Sequence, residues 1–531
     1  MIKLINGNRL YISSLLIVAL LSLAWGDQTH GKDDRQDVNS FFVASNGSDT
    51  NPGTQPNPWR TIQFAVDQVA PGDTIYVRAG TYNESVALNQ EGIEGNPITL
   101  KAYGDEAVTI NGGEAPAITA LTSQWEGTQY WIIEGFTLDS NAEYTIEFSI
   151  WSAFSSNHMV IRNNYIRGAA KVSGSYNLFE GNEVDGSQHK GSEDGVQEFE
   201  ELSHHNVYRN NHIHHFSSRG IWSEYRTHDS IFENNYIHHI ENGDGQEQGI
   251  DLDGFGSVVW RHTVRGNHIH YVDKVPIALE NTFDSVVENN IIHDSSRGIA
   301  VINYGGDVGS GWGTGRCEVG GENNQYGDTD GDDDCRGNNT GNIIRQNLIY
   351  DINTNAAIMI HTAGGIRIMG NTIHNKNTTA VGIYLDSSDY CQEIEIRGNI
   401  ISESRQGAIN IQNVDSLVQD SNNLIQSPEG IDDYYIAGNG FSLAQYKMMT
   451  GKGVGSVDAD PQFVDSLGYN FRLKESSPAI DTGFNIESTT DIYGNPRPQG
   501  LAYDMGVYEY NPTLEIALAI YLPIISSGHE R

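Results

Sequence analysis

From Asn164 onward the chain alternates short apolar runs with polar turns at a steady interval. Asn164, Asn182, Asn211, Asn235, Asn267, Asn290, Asn347, Asn371, Asn399 and Asn423 each precede an x-Ile/Leu/Val-x pattern, often x-Ile-His. Most intervals lie in the twenties, with longer gaps before Asn267 and Asn347 where loops are inserted. Alternation of apolar and polar positions over a few residues predicts short strands. A period of twenty to thirty with several strands per copy predicts a parallel β-helix rather than a propeller, whose blades need about forty residues or more. Recurrence of Asn at one turn position predicts a ladder of amides that satisfy one another from rung to rung.

The run from Gly195 to Gly305 carries the clearest copies: GVQEF, GIWSEY, GIDLDG, PIALEN and GIAVIN. Side chains alternate across a strand, so Ile221, Ile250, Ile277 and Ile299 share one face with Ser223, Leu252, Leu279 and Val301. Trp222 with Glu224, Asp251 with Asp253, Ala278 with Glu280, and Ala300 with Ile302 face the other way. Stacked in parallel, Glu224, Asp253 and Glu280 form one outward column at about 4.8 Å per rung. Crowding of like charges raises at least one carboxyl pKa, which makes an acid and a base from similar groups. Arg219 and Arg297 stand two residues before their strand Ile, Lys274 three before, and Lys190 in the loop before Val196. All four are expected to rim the column, a Lys as base or an Arg as neutraliser. Trp222, Tyr225 and Tyr384 offer flat faces for sugars, and Asp251, Asp253, Glu224 or Glu280 offer oxygen ligands for Ca²⁺.

His214, His238, His270, His293 and His374, with Tyr350 in the gap, form a second outward column. A row of rings predicts a surface aromatic ladder; a metal site needs ligands that converge. The insertion at 305–342 holds Cys317 and Cys335, expected to pair, and Asp328, Asp330, Asp332, Asp333 and Asp334 around a Gly. That composition suits Ca²⁺, although the twelfth-position Glu of an EF-hand is missing. Cys391 is left over.

Lys3 and Arg9 precede an apolar run from Tyr11 to Trp25, so residues 1–26 read as a secretory signal, followed by a polar linker over 27–40. Residues 41–115 form an N-terminal cap and first rungs, with helical spacing over Thr61–Val69 and a strand in DTIYVRAGTY. The helix proper is expected over 116–430, a capping module over 431–510 with a short helix in FSLAQYKMMT, and a tail over 511–531. The apolar stretch Ile516–Ile525 is too short to span a bilayer. A net charge of −38 argues against nucleic acid as a partner.

FFVASNGSDTNPGTQPNPWRTIQFAVDQVAPGDTIYVRAGTY resembles the N-terminal cap of secreted right-handed parallel β-helix proteins, among them family 9 pectate lyases and chondroitinase B-like lyases. SSPAIDTG, DIYGNPRPQG and DMGVYEY are similar to a C-terminal module of bacterial surface β-helix proteins, and IYLPIIS to a terminal motif of some filamentous bacteria. The resemblance implies a right-handed, all-β solenoid, secreted or at the cell surface, monomeric, acting on an extracellular polysaccharide. It carries over no catalytic residue, because no run here matches the Ca²⁺-binding Asp cluster and base Lys of family 9, or the Lys/Arg pair of the chondroitinases. Three functions stay open: a lyase for acidic glycans, with or without Ca²⁺; a glycoside hydrolase using carboxylates on adjacent rungs; and a non-catalytic glycan-binding or adhesive protein.

Overall fold

The computed structural model describes residues 39–120, 128–148, 156–187, 193–199, 203–243, 245–254, 258–302, 340–376, 378–386 and 391–512. Each coil lays down three short strands. Val207–Arg209 enters the first sheet, His212–Phe216 the second and Arg219–Glu224 the third. They pair in parallel with Ile231–Glu233, Tyr236–Ile240 and Gln248–Asp253 of the next coil. Repetition of that step yields three 14-stranded sheets, and the protein is a right-handed parallel β-helix, the hand that parallel crossovers favour. Ile221, Ile250, Ile277 and Ile299 are fully buried in one continuous core.

The coil turns where the Asn repeat stands. Asn164, Asn182, Asn211, Asn235, Asn267, Asn290, Asn347, Asn371, Asn399 and Asn423 form an unbroken ladder, each Nδ2 donating to the next Oδ1 at 2.9–3.3 Å. The residue before each is left-handed, as at Asn163, Asn210, Asn234, Asn289 and Asn422 (φ between 53° and 58°), or is Gly, as at Gly181, Gly266, Gly370 and Gly398. Asn and Gly tolerate that conformation best. The Asn-Asn and Gly-Asn pairs of the sequence are therefore two devices side by side, a bend and a rung. The third-sheet strands begin at another fixed point. A Cβ on Gly220 would fall 2.6 Å from the Gly249 carbonyl and 2.8 Å from the Ile237 Cγ2, so the corner admits no side chain.

Helix α1 (Ile62–Val66) is capped by the Thr61 hydroxyl and buries Ile62, Ala65 and Val66 over the first coils. At the other end helix α2 (Leu443–Thr450), held by a Ser442–Gln445 capping box, buries Leu443 and Tyr446 in the same core. The rest of the C-terminal segment does not close the end. Phe463, Phe471, Leu473, Met505 and Val507 pack on Leu348, Ile400 and Leu424, along the flank of the second sheet. The reason lies in one outward column: it reads His212, Tyr236, His268 and then Ile291, Leu348, Thr372, Ile400, Leu424. Once the column turns aliphatic it needs a cover. Residues 1–38, the 305–339 part of the insertion with Cys317 and Cys335, and 513–531 lie outside the described residues, while Cys391 is buried with its Sγ 3.8 Å from the Ile360 carbonyl oxygen.

Neighbouring Asn residues should respond oppositely to substitution. Asn211 donates to the Phe179 carbonyl and Asn235, and accepts from the Asn182 backbone and side chain. Asn211→Ala leaves several buried groups unpaired at about 1–3 kcal/mol each and should lower the thermal midpoint by many degrees. Asn210→Gly, at φ 56°, should shift it little. Differential scanning calorimetry of the two variants is the check.

Candidate functional site

The predicted column exists. Phe199, Glu224, Asp253, Glu280 and Ile302 are consecutive register partners in the third sheet. Beside them run Gln197, Trp222, Asp251, Ala278, Ala300, Met359 and Tyr384. Both columns face away from the core, yet the acids are not open to water. Glu224, Asp251, Asp253 and Glu280 are 6, 0, 5 and 8 % exposed.

Among the described residues one cation, Arg219, enters this cluster, while Lys190 lies outside the described residues. Arg219 precedes the corner Gly220 and turns its guanidinium over the outer face. Its Nε donates to Asp251 Oδ2 at 2.7 Å and its Nη2 to Gln246 Oε1 at 2.9 Å. Asp194 and Asp253 lie 3.5 and 3.9 Å from its other nitrogens. The same guanidinium sits 4.3 Å from the centre of the Trp222 ring, whose Nε1 donates to Asp253 Oδ2 at 3.3 Å. Gln248 donates to Glu280 at 3.3 Å, Gln197 to Asp194 at 3.0 Å, and Tyr144 to Gln197 at 2.9 Å. Phe199 packs edge-on against Tyr225 at 4.6 Å and beside Trp222 at 5.5 Å, with the Lys171 ammonium 4.9 Å over its ring. Tyr225 and Arg226 are both left-handed, at φ 56° and 61°. Two consecutive non-Gly residues in that region store strain, a feature that clusters at functional sites.

Burial and like charge act together on the acids. Burial, reinforced by Asp253 and Asp194 and only partly offset by Arg219, pushes the Glu224 carboxyl up to about 9. Burial, then Glu280 and Asp253, drives Asp251 well above the carboxylate range despite its bond to Arg219. Glu224 Oε2 and Asp251 Oδ1 are buried without a hydrogen-bond partner. At neutral pH Glu224 is thus a carboxylic acid beside Asp253, an arrangement that can donate a proton to one atom of a ligand and accept one from another. The donor set is hard oxygen, as Ca²⁺ prefers. Among the described residues, though, no three of these acids bring ligand atoms within 4.8 Å of one another.

Of the sequence-predicted residues, the structure gathers Arg219, Trp222, Glu224, Asp251, Asp253 and Glu280, with Tyr225 at the exposed edge. Lys274 is exposed and donates to the Gly245 carbonyl, and Arg297 engages the Asn355 side chain. Among the described residues neither forms an ion pair with the acids. Tyr384 shares the Trp222 column but stands past Ala278, Ala300 and Met359 in an apolar cluster, its hydroxyl on Asp386. Asp328, Asp330, Asp332 and Asp334 lie outside the described residues. Asp194, Gln248, Gln197 and Lys171 were not anticipated. A signal existed for the first two: like Arg219, each directly precedes a corner Gly, where the chain turns a side chain outward.

Comparison with known proteins bears on the fold more than on this cluster. Residues 41–170 match the family described as Pel9A-like, right handed beta helix region, a match that ends before Asp194. The chain is 34% identical over 134 residues to the uncharacterized protein YwoF of Bacillus subtilis (strain 168), covering 24% of this chain and 28% of that one. It is 40% identical over 82 residues to pectate lyase PEL9 of Emericella nidulans, covering 15% of this chain and 20% of the relative. Both curated relatives are thus matched over less than a third of their length. A solved structure of an arginine variant of the PL6 family alginate lyase AlyGC superposes with a TM-score of 0.50 at 17% identity, over 85% of this chain and 58% of that one. That likeness is one of fold.

The raised Glu224 carboxyl has a stability consequence. The folded protein holds a proton there that the unfolded chain releases above its ordinary value of 4.5, so stability falls as pH rises from about 4.5 toward about 9. Glu224→Gln, assayed in chelator, should flatten that slope in urea-melt series between pH 5 and 9. Arg219→Ala should instead cost about 3–5 kcal/mol, because it strips the counter-charge from buried acids.

Proposed function

Starting from a right-handed parallel β-helix with a Pel9A-like N-terminal region, we propose that this protein is an extracellular polysaccharide lyase that cleaves acidic glycans at the Glu224–Asp253–Glu280 column. The carrying observation is a single buried guanidinium set among carboxyls, one of which keeps its proton to about pH 9. β-Elimination at a uronate needs a base for the C5 proton, positive charge at the carboxylate and a proton for the leaving O4. Asp253 is the base, Arg219 faces the uronate carboxylate, and Glu224 protonates O4. Trp222, Tyr225 and Phe199 supply the flat apolar faces against which a sugar ring stacks. The relative named as a pectate lyase supports the substrate class.

Asp251, Asp253 and Glu280 offer the hard oxygens that Ca²⁺ prefers, but they do not converge on one ion, so no step of this reading runs through a metal. The net charge of −38 gives cations in solution a screening role, since a polyuronate approaches a strongly acidic protein more readily when its charge is screened.

A second reading rests on one observation. Glu224 and Asp253 are direct register partners on adjacent rungs, with one of them protonated, which offers the two carboxyls in two roles that a glycosidase uses. The two readings differ in product. A panel of uronate and neutral polysaccharides, with Ca²⁺ or chelator, should give an unsaturated product absorbing in the ultraviolet. New reducing ends without that absorbance would replace elimination by hydrolysis, and bound but intact glycan would remove catalysis altogether. Glu224→Gln should lower kcat by about 10²–10⁴, whereas Trp222→Ala should act mainly through KM.

A further inference from the structure

The outer face of the second sheet holds an unusual density of imidazole. His214, His238, His270 and His293 are successive register partners, and the rings stack at 5.2, 5.4 and 4.8 Å. A row of this kind does not by itself converge on anything. What changes it is the residue that follows. His215 and His239 are left-handed, at φ 61° and 55°, which swings each ring back beside its predecessor instead of onto the opposite face. His214 Nδ1 and His215 Nδ1 come within 2.6 Å, as do His238 Nδ1 and His239 Nδ1.

At the N-terminal end of this array the rung below supplies acids. Asp185 is the register partner of His214, and Glu183 of His212. Asp185 Oδ1 lies 3.6 Å from His214 Nδ1. Asp185, His214 and His215 each offer a ligand atom, all within 4.8 Å of one another. We propose that Asp185, His214 and His215 form a binding site for a divalent transition-metal ion of the Zn²⁺ class, with a fourth position open to water.

The surroundings prepare each ligand. Tyr165 donates its hydroxyl to Asp185 Oδ2 at 2.8 Å and the Ser187 backbone donates to Oδ1 at 2.8 Å, which fixes the carboxylate plane. His214 Nε2 lies 3.4 Å from Glu183 Oε1, so a proton on Nε2 leaves the Nδ1 lone pair for a metal. This is the carboxylate–histidine–metal relay that orients ligating imidazoles. Tetrahedral coordination with Zn–N near 2.0–2.1 Å puts ligand nitrogens about 3.3 Å apart. The His214–His215 pair must therefore open from its hydrogen-bonded 2.6 Å by a small rotation of His215, which is exposed.

The other candidates are weaker. Glu183, His212 and His214 also converge, but His212 Nε2 is already 2.7 Å from His238 Nε2. In the group of His205, His228 and Asp229 both carboxylate oxygens serve Arg261, at 2.8 and 2.5 Å.

The test uses the full chain, stripped with chelator and titrated with Co²⁺, with visible d–d absorption and Zn²⁺ displacement as readouts. One tight equivalent with tetrahedral or five-coordinate intensity is expected. His215→Ala and Asp185→Asn should each weaken binding at least tenfold, and His239→Ala and His205→Ala less than threefold. Circular dichroism shows which variants fold. No saturable Co²⁺ spectrum, or unchanged affinity in the folded His215→Ala or Asp185→Asn protein, overturns the site. Equal losses in all four variants would mean diffuse binding along the imidazole face, which overturns it too.

Discussion

The amide ladder is the constraint on which everything else rests. Every coil must reverse direction in a buried turn, and a buried backbone N–H without a partner is costly. Each ladder Asn resolves this with one side chain: Oδ1 accepts from the preceding Asn backbone, and Nδ2 reaches a carbonyl one coil back. Because the bonds run from coil to coil, the ladder also sets register. A slip of one residue would break every rung and turn every apolar side chain outward. The alignment of Glu224, Asp253 and Glu280 is thus a by-product of amides on another corner of the coil.

Within so regular a scaffold, chemistry collects where the pattern breaks. Glu198 sits inside the solenoid, fully buried, where an aliphatic residue is expected. It accepts from Asn206, Ser223 and Ser230, and burial pushes its pKa up to about 7. His262 is buried nearby with its pKa pushed down to about 3, accepting from the Ser230 backbone and held against Thr227. These groups continue a second, mixed ladder through Asn177, Asn206, Ser230, His262, Ser285 and Asn342. Glu198 and Ser223 thus place polar groups inside the coils that carry Phe199 and Glu224 on their outer face.

The outer faces follow a related logic. On the third sheet, side chains of opposite character converge: Arg219 lies between the Trp222 ring and the Asp251 carboxyl. On the second sheet, imidazoles stack for four coils, and where the column beside them turns aliphatic at Ile291 and Leu348 the C-terminal segment docks through Phe463 and Phe471. Arg497, fully buried, ties that segment together through Glu509 and reaches Gln346 in the turn of a coil. One face is left for polar chemistry and the next is sealed by packing.

Periodicity alone determined the architecture. A repeat of Asn, apolar residues at alternate positions and Gly at a fixed corner specify which side of the sheet each residue occupies and which residues share a column, so the ladder, the acid column and the imidazole column were all legible. Whether an outward position meets water was not, because the face of a strand says nothing of what lies over it: Asp251 faces away from the core and is still 0 % exposed. Nor could spacing show that Arg219 would fold over the outer face among the acids while Arg297 and Lys274 found partners elsewhere. The convergence of His214 with His215 was equally hidden, since strand alternation places neighbours on opposite faces and only a left-handed backbone at His215 brings them together. Local sequence sets the direction of a side chain; the packing of distant coils and single dihedral angles decide what it meets.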